Sequence, residues 1–212
     1  MKLIVRPELK LIFRLGADFL FVFDYYFALY ITIYNEKERK LMLRLRPYKP
    51  CDGDKIAGWL GDERTFAMWS AYRYSYPLTG GQLNERMNSA MENPCEWMMT
   101  ALDESGEPVG HFLLRNADYE RNTIHIGFIV IDDSMRGMGY GAQMLELAEK
   151  YCFEVLGMNR ITLGVYDINE RAKHCYEKLG FKEYAVEDAD FEFQGEQWRI
   201  VEMECLKQEA AL

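Results

Sequence analysis

The stretch TIHIGFIVIDDSMRGMGYG, residues 123–141, joins an apolar strand to a glycine-rich loop and the beginning of a helix. Strand alternation predicts two opposite faces for residues 123–131, with Ile124, Ile126, Phe128 and Val130 on one and His125, Gly127, Ile129 and Ile131 on the other. Both sets are largely apolar, which is typical of a central strand that is covered on each side. The apolar periodicity that follows predicts a helix from about Gly139 to Leu156.

The loop between this strand and helix has the features of a phosphate-binding segment. Its glycines at 137, 139 and 141 let the backbone approach a ligand closely, and the following helix directs free N–H groups and its positive dipole end towards the same space. Arg136 would add a charge-assisted contact. From the residues alone, a tight turn that needs glycine for packing is the alternative. The spacing departs from the dinucleotide pattern G-x-G-x-x-G, and the G-K-S/T of triphosphate loops does not occur here.

The rest of the chain predicts a mixed α/β sheet. From residue 41 the pattern indicates a strand, two helices, three strands, a helix, a strand, a helix and two final strands. Asp52 or Asp54 is expected to cap the first helix, and residues 62–71 are expected to continue that helix after Gly61. Thr79 is expected to begin the second helix. The early strands are joined by hairpins and the later ones by parallel crossovers, so antiparallel and parallel pairs are both expected.

Composition excludes several classes of protein. The 212 residues carry a net charge of −9, which is unsuited to general nucleic-acid binding. Five cysteines without a C-x-x-C pair, and only three histidines, argue against a zinc framework and a disulfide scaffold, so we expect no metal site. The expectation is a reduced, cytoplasmic protein. Its acidic excess lies in residues 41–212, where it would attract cationic molecules such as amines or form a solvated surface.

Residues 1–40 form an aromatic-rich extension that allows three interpretations. The segment LGADFLFVFDYYFALYITIY, residues 15–34, has nearly the length of a membrane span, but Asp18 and Asp24 oppose insertion. No cleavage site typical of a signal peptide follows it. The alternatives to a membrane anchor are an extension packed on the main domain and a translation start at Met42.

The glycine loop and the helix after the next strand together resemble a known superfamily. IDDSMRGMGYG at 131–141, followed by Asn169-x-x-Ala172-x-x-x-Tyr176-x-x-x-Gly180-Phe181, is similar to the GNAT acetyl-CoA-dependent N-acetyltransferases, and most like their ribosomal-protein/small-amine branch. The resemblance covers roughly 41–206, which makes 41–212 the expected domain. It implies an α/β fold with a central mixed sheet of about seven strands flanked by about four helices. It also implies a V-shaped cofactor cleft between strands 4 and 5.

The resemblance also implies a binding mode for acetyl-CoA. Backbone groups of Ile129, Val130 and Ile131 would bind the pantetheine arm as though it were another strand. The pyrophosphate would lie on the amides of the loop, which belong to Arg136, Gly137, Met138, Gly139, Tyr140 and Gly141. Asn169 would contact the cofactor, although from the residues alone it is a helix cap.

The catalytic roles follow from the same resemblance. A backbone N–H near Val130 would stabilise the oxyanion of the reaction, and Tyr176 would be the general acid that protonates the departing thiolate. From the residues alone, Tyr176 shares a helical face with Ala172 and Leu179 and is a core aromatic. His125 stands where many relatives carry a glutamate, which makes it a candidate general base, with a structural histidine as the alternative.

The resemblance implies direct acetyl transfer to a primary amine in a ternary complex, and the lack of a recognisable nucleophile–histidine arrangement agrees with it. Aromatic side chains in 66–76, together with Trp59, would form the roof of the acceptor pocket and bind a cation, or else pack two helices. A small molecule or a protein N-terminus would serve as acceptor, and a sheet-edge homodimer is a further expectation. The alternatives are a non-catalytic acyl-CoA sensor and a membrane-tethered acetyltransferase.

Overall fold

The computed structural model describes residues 43–208, apart from the side chains of residues 188–190. The predictions for residues 1–40, including the membrane span at 15–34 and the start at Met42, lie outside the described residues. Within 43–208 there is no helix with the length and apolar character needed to traverse a bilayer.

The described part of the chain contains one mixed sheet of seven strands. The strands are β1 (Arg44–Pro47), β2 (Trp97–Leu102), β3 (Pro108–Asp118), β4 (Thr123–Ile131), β5 (Arg160–Tyr166), β6 (Lys182–Phe193) and β7 (Glu196–Leu206). Their order in the sheet is β1-β2-β3-β4-β5-β7-β6. Strands β4 and β5 are parallel, and the other neighbours are antiparallel. The predicted fold class is therefore confirmed.

Helices cover both faces of this sheet. They are α1 (Gly53–Gly58), α2 (Glu63–Ser70), α3 (Gly80–Met91), α4 (Tyr140–Lys150) and α5 (Glu170–Lys178), and a π-helical turn at Tyr151–Val155 extends α4. The described helices exceed the expected four because the first one breaks at Gly61. Asp62 begins a separate helix there, since its carboxylate accepts the Thr65 N–H at 2.8 Å.

The two larger of three apolar clusters in the described residues lie on opposite sides of the sheet. The major core packs α4 and α5 against the sheet around Met144, Leu145 and Tyr176. The minor core packs α1, α2 and α3 against the other face, around Ile56 and Phe66. The central strand β4 contributes to both cores, as its apolar composition predicts.

A β-bulge in β4 changes the predicted faces of that strand. The register with β3 shifts between Gly127 and Val130, and Phe128 has a φ of 53°, so the strand holds one extra residue there. Ile129 consequently packs on the major core with Ile124 and Ile126, whereas Phe128 and Val130 pack on the minor core. The predicted grouping of Phe128 and Val130 with Ile124 was wrong, and so was the placing of His125 on the face of Ile129.

Strands β4 and β5 pair only at their beginnings. The parallel register runs from Thr123 with Arg160 to His125 with Thr162, and no further pairs follow along the two strands. Beyond that point they diverge, which confirms the V-shaped opening expected between strands 4 and 5.

Asp52 does not cap α1 with its side chain, contrary to the sequence expectation. Its buried carboxylate accepts hydrogen bonds from the Arg46 guanidinium at 2.7 and 2.8 Å and from the Thr100 hydroxyl at 3.0 Å. Burial alone would raise the pKa of Asp52, but the hydrogen bonds from Arg46, Lys49 and Thr100 outweigh it and lower the pKa. Asp52 therefore fastens the beginning of α1 to β1 and β2.

Replacing this carboxylate should destabilise the domain. We expect Asp52→Ala to lower the free energy of unfolding by about 2–3 kcal/mol, because it leaves Arg46 and Thr100 without their buried acceptor. Urea unfolding at neutral pH measures the change. The matched control is Glu107→Ala, which breaks an exposed ion pair with Lys55 and should cost less than about 0.5 kcal/mol. Equal losses in the two variants would contradict the anchoring role.

Candidate active site

The opening between β4 and β5 continues into a cleft of about 620 Å³. Its walls come from the second half of β4, from β5, from the glycine loop and from parts of α2 and α5. Most of the predicted site residues line it: His125, Ile129, Val130, Ile131, Arg136, Gly137, Gly139, Gly141, Asn169 and Tyr176. The cleft thus brings together side chains from separate parts of the chain.

Two predicted cofactor residues do not line the cleft. Met138 is 60% exposed. Tyr140 instead packs half-buried against the major core, as a residue of the apolar face of α4. For these two positions, a role in binding would have to come from the backbone alone.

The end of β4 presents unpaired backbone to the cleft. The Asp132 N–H donates to the Val109 carbonyl of β3 at 2.9 Å. Val130, two residues before Asp132, is paired with His111 of β3. Bonding repeats every second residue in an antiparallel ladder, so the Val130 amide points to β3 and the Ile131 amide points away from it. The amide and carbonyl of Ile131 therefore face the cleft, where β5 has already diverged.

The glycine loop has a backbone that requires glycine. Gly137 and Gly139 have φ values of 86° and 92°, in the left-handed region that side chains disfavour. Gly139 is the N-cap of α4, and among the described residues no side chain caps this helix. The first N–H groups of α4 consequently have no intrahelical acceptor and point at the cleft.

Cations surround this loop. The Arg136 guanidinium donates to the Trp59 carbonyl at 3.2 Å, which holds it beside the cleft. A Cβ on Gly137 would lie 3.4 Å from the Arg171 guanidinium, and Lys178 lines the same region. Free amides, a helix N-terminus and three cations fit a diphosphate group well.

Helix α5 supplies the polar groups at the other wall. The Asn169 side chain caps it by accepting the Ala172 N–H at 3.2 Å. Tyr176 is 7% exposed and packs its ring against Phe181, and burial raises the pKa of its hydroxyl. The hydroxyl therefore stays protonated at neutral pH and can donate a proton or a hydrogen bond to a ligand.

His125 has both ring nitrogens engaged. Its Nε2 lies 3.1 Å from the Arg115 guanidinium, and its Nδ1 lies 3.1 Å from the Thr162 hydroxyl. Because arginine can only donate, Nε2 accepts and Nδ1 carries the proton. Burial, followed by the charges of Arg115 and Arg73, lowers the pKa of His125 to about 3. These contacts favour a neutral, positioning histidine over one that takes a proton from the substrate.

The structure adds one cleft residue that the sequence reasoning missed, Arg115, and gives a buried unpaired donor to one that it included, Trp69. Arg115 is the cross-strand partner of His125, and its buried Nε has no hydrogen-bond partner among the described residues. The buried Trp69 Nε1 is likewise without a partner in that part of the chain. The sequence signal for Arg115 was the position of an arginine directly after the apolar run 112–114.

The predicted aromatic roof is mostly packing. Of Trp59 and the aromatics in 66–76, Trp69 lines the cleft, where its ring stacks on Tyr74 and meets Phe128 edge-on. Phe66 is fully buried in the minor core. Within the described residues there is also no group of three or more His, Cys, Asp or Glu placed to hold a metal ion.

Comparison with known proteins identifies the class. A family model described as Acetyltransferase (GNAT) family matches residues 53–181, and the chain belongs to this family. The chain is 29% identical over 153 residues to mycothiol acetyltransferase of Gordonia bronchialis, an alignment that covers 69% of the chain and 46% of that protein. The chain therefore spans about half the length of this curated relative.

Solved structures share the fold. One is spermidine N-acetyltransferase from Vibrio cholerae in complex with CoA and spermine, with a TM-score of 0.69 and 23% identity. Another is a chimera of the Vibrio cholerae enzyme and hSSAT, with a TM-score of 0.67 and 24% identity. Each comparison covers 77% of this chain and 95% of the other.

The protonation state of His125 can be measured directly. We expect ¹⁵N NMR to show a neutral ring with its proton on Nδ1 between about pH 5 and pH 8, because burial and two guanidinium groups disfavour the cation. In Arg115→Met the pKa of His125 should rise, since a neighbouring positive charge is removed. A wild-type titration midpoint near neutrality would restore His125 as the predicted base.

Proposed function

We propose that residues 41–212 form an N-acetyltransferase domain that transfers an acetyl group from acetyl-CoA directly to a primary amine, with both substrates bound together. The observation that carries the proposal is the end of pairing between β4 and β5 directly above the glycine loop. The resulting cleft offers a strand edge, an anion cradle and a protonated tyrosine in one place.

Binding of acetyl-CoA would use two parts of this cleft. The free amide and carbonyl of Ile131 suit the amide groups of the pantetheine arm, as a partner strand would. The loop amides, Arg136 and Arg171 suit the phosphates. Acetyl-CoA would supply the acetyl group as a thioester, whose carbonyl carbon is open to attack by an amine.

The transfer step makes three demands on the protein. A backbone N–H at the β4 bulge would donate to the negative charge that develops on the acyl oxygen. Tyr176 would give its proton to the sulfur as the C–S bond breaks, and would regain a proton from solvent before the next turnover. The amine must lose a proton as its nitrogen forms the new C–N bond, and with His125 already hydrogen-bonded on both sides, this proton would leave through water to solvent.

The finer expectations remain part of the proposal. The names of the similar proteins, mycothiol and spermidine acetyltransferases, support a small amine as acceptor. The ribosomal-protein/small-amine branch, the cytoplasmic location and the sheet-edge homodimer stay predictions from the sequence.

Acetyl-CoA should stabilise the full chain against heat. At 100-fold excess over Kd, a bound ligand adds about 2.7 kcal/mol, which corresponds to a rise in Tm of roughly 5–10 °C for a domain of this size. ATP and NADH serve as controls that should not give this shift. A well-folded protein without an acetyl-CoA shift would contradict the proposal.

The glycine loop is tested by Gly139→Ala in the same assay. A Cβ at a φ of 92° costs roughly 1–2 kcal/mol and displaces the loop amides, so the acetyl-CoA shift should shrink. The matched control is Gly157→Ala, at a φ of 72°, where an added Cβ meets nothing within 4 Å and the shift should persist. Equal shifts in the two variants would remove the loop from the binding site.

Tyr176→Phe tests the general acid. It should lower kcat by roughly 10²- to 10⁴-fold while acetyl-CoA binding stays intact, because the ring packing is kept and only the donor is lost. CoA release measures turnover, and the exposed Tyr119→Phe is the control. Unchanged turnover would exclude Tyr176 from the mechanism. Binding of acetyl-CoA without turnover of any amine by the wild type would favour the acyl-CoA sensor.

A further inference from the structure

The cleft is basic although the protein is acidic. The chain carries a net charge of −9. The charged side chains that line the cleft are nevertheless five cations and one carboxylate, namely Arg73, Arg115, Arg136, Arg171, Lys178 and Glu202. Of the two sequence interpretations of the acidic excess, attraction of cationic molecules or a solvated surface, this favours the solvated surface, because the excess lies away from the cleft.

The five cations fall into two groups. Arg136, Arg171 and Lys178 surround the glycine loop and α5, where the proposed function places the phosphates of acetyl-CoA. Arg115 and Arg73 lie at the other end, beside His125, whose pKa both of them lower. That second group has no role in the proposed binding of acetyl-CoA.

Arg115 is held in place and incompletely satisfied. Its guanidinium bonds His125 Nε2 at 3.1 Å and lies 5.9 Å from the centre of the Phe128 ring. It occupies the space over Gly127, where a Cβ would come within 3.4 Å of its Nε. That buried Nε–H has no acceptor in residues 43–208, and an unpaired buried donor is unfavourable unless a ligand accepts it.

The carboxylates nearest this pair do not form ion pairs with it. Neither Arg73 nor Arg115 forms an ion pair with a described carboxylate. Glu202 instead accepts a hydrogen bond from the Tyr184 hydroxyl at 3.4 Å, and burial together with Glu187 raises its pKa. Burial lowers the pKa of Arg115, and the charges of Glu96 and Glu202 oppose this effect without outweighing it. Two adjacent guanidinium groups therefore face this end of the cleft without an ion-paired carboxylate among the described residues.

We propose that the acceptor is an amino acid, and that Arg115, assisted by Arg73 at the rim, binds its carboxylate while the α-amino group is acetylated. This inference rests on the proposed function and adds the substrate class. A carboxylate would accept from the free Nε–H and supply the missing negative charge, which is the pairing that arginine geometry suits best. The surrounding Phe128, Tyr166 and Ile200 suit an apolar side chain, whereas a polyamine would meet two like charges.

The test compares amino acids with their decarboxylated counterparts. The full-length protein, with saturating acetyl-CoA, is assayed for CoA release with L-phenylalanine against phenethylamine and with L-leucine against isoamylamine, and spermidine serves as the polycation. We expect kcat/KM to favour each amino acid by about tenfold or more, the value of a charge-assisted hydrogen bond. Arg115→Met should abolish that preference. Arg115→Lys should keep part of it, because lysine retains the positive charge but cannot bind a carboxylate through two parallel N–H groups.

The ratio of kcat/KM values within each pair distinguishes a loss of carboxylate binding from a general folding defect. A merely structural defect would lower the activity with both members of a pair and leave the ratio unchanged. The control Arg121→Met removes an arginine that is exposed in the turn after the same strand, and should leave the ratio as in wild type. Arg73→Met should reduce the ratio less than Arg115→Met.

Three outcomes overturn the inference. The first is equal or better turnover of the decarboxylated amines or spermidine. The second is a preference for the amino acids that survives in Arg115→Met. The third is acetyl-CoA binding without turnover of either amino acid. Failure of the proposed function is recognised separately, because it appears as the absence of a thermal shift with acetyl-CoA.

Discussion

The feature on which the site depends is the place where β4 and β5 stop pairing. Three residue pairs hold the two parallel strands together, and beyond them each strand lacks a partner on the edge that faces the other. Exposed strand edges are normally unfavourable inside a domain, because each buried N–H or C=O needs a hydrogen bond. Here the glycine loop, α2 and α5 surround the gap, so its unpaired backbone groups are left open to a ligand of extended shape.

A second constraint is the bulge at Phe128. The extra residue sends Ile129 to the major core and leaves Phe128 on the side of Arg115, with which it makes a cation–π contact. The same strand therefore contributes its beginning to a fully packed sheet and its end to a cleft wall. The cost is a positive φ on a non-glycine residue, a type of strain that tends to occur at functional sites.

Local patterns in the sequence accounted for most of the fold. The helix beginnings at Thr79 and Asn169 follow from capping chemistry, and the structure shows both side chains accepting the expected N–H groups. Two glycines of the loop have the backbone conformation that their spacing suggested, and their role in binding an anion stays a prediction. The break at Gly61 turned one expected helix into two, because Asp62 provides a new cap.

What the sequence did not reveal depends on contacts between distant segments. The bulge has no local signal, since Phe128 occupies a conformation that usually selects glycine. Without it, His125 was grouped on one face with Ile129. Arg115 was missed because its importance arises only from the register that sets it opposite His125. The contacts that disfavour His125 as a base come from the same register and could not be inferred from its position on β4 alone.

The hydrogen bond from Arg136 to the Trp59 carbonyl links the glycine loop to the segment just after α1, which packs on the opposite side of the sheet. A ligand phosphate that attracts this guanidinium competes with that carbonyl. The occupancy of the loop and the position of the α1–α2 junction are then thermodynamically linked, and such a linkage acts equally in both directions. Because α2 also lines the cleft, this single contact connects the glycine loop to the opposite wall of the site.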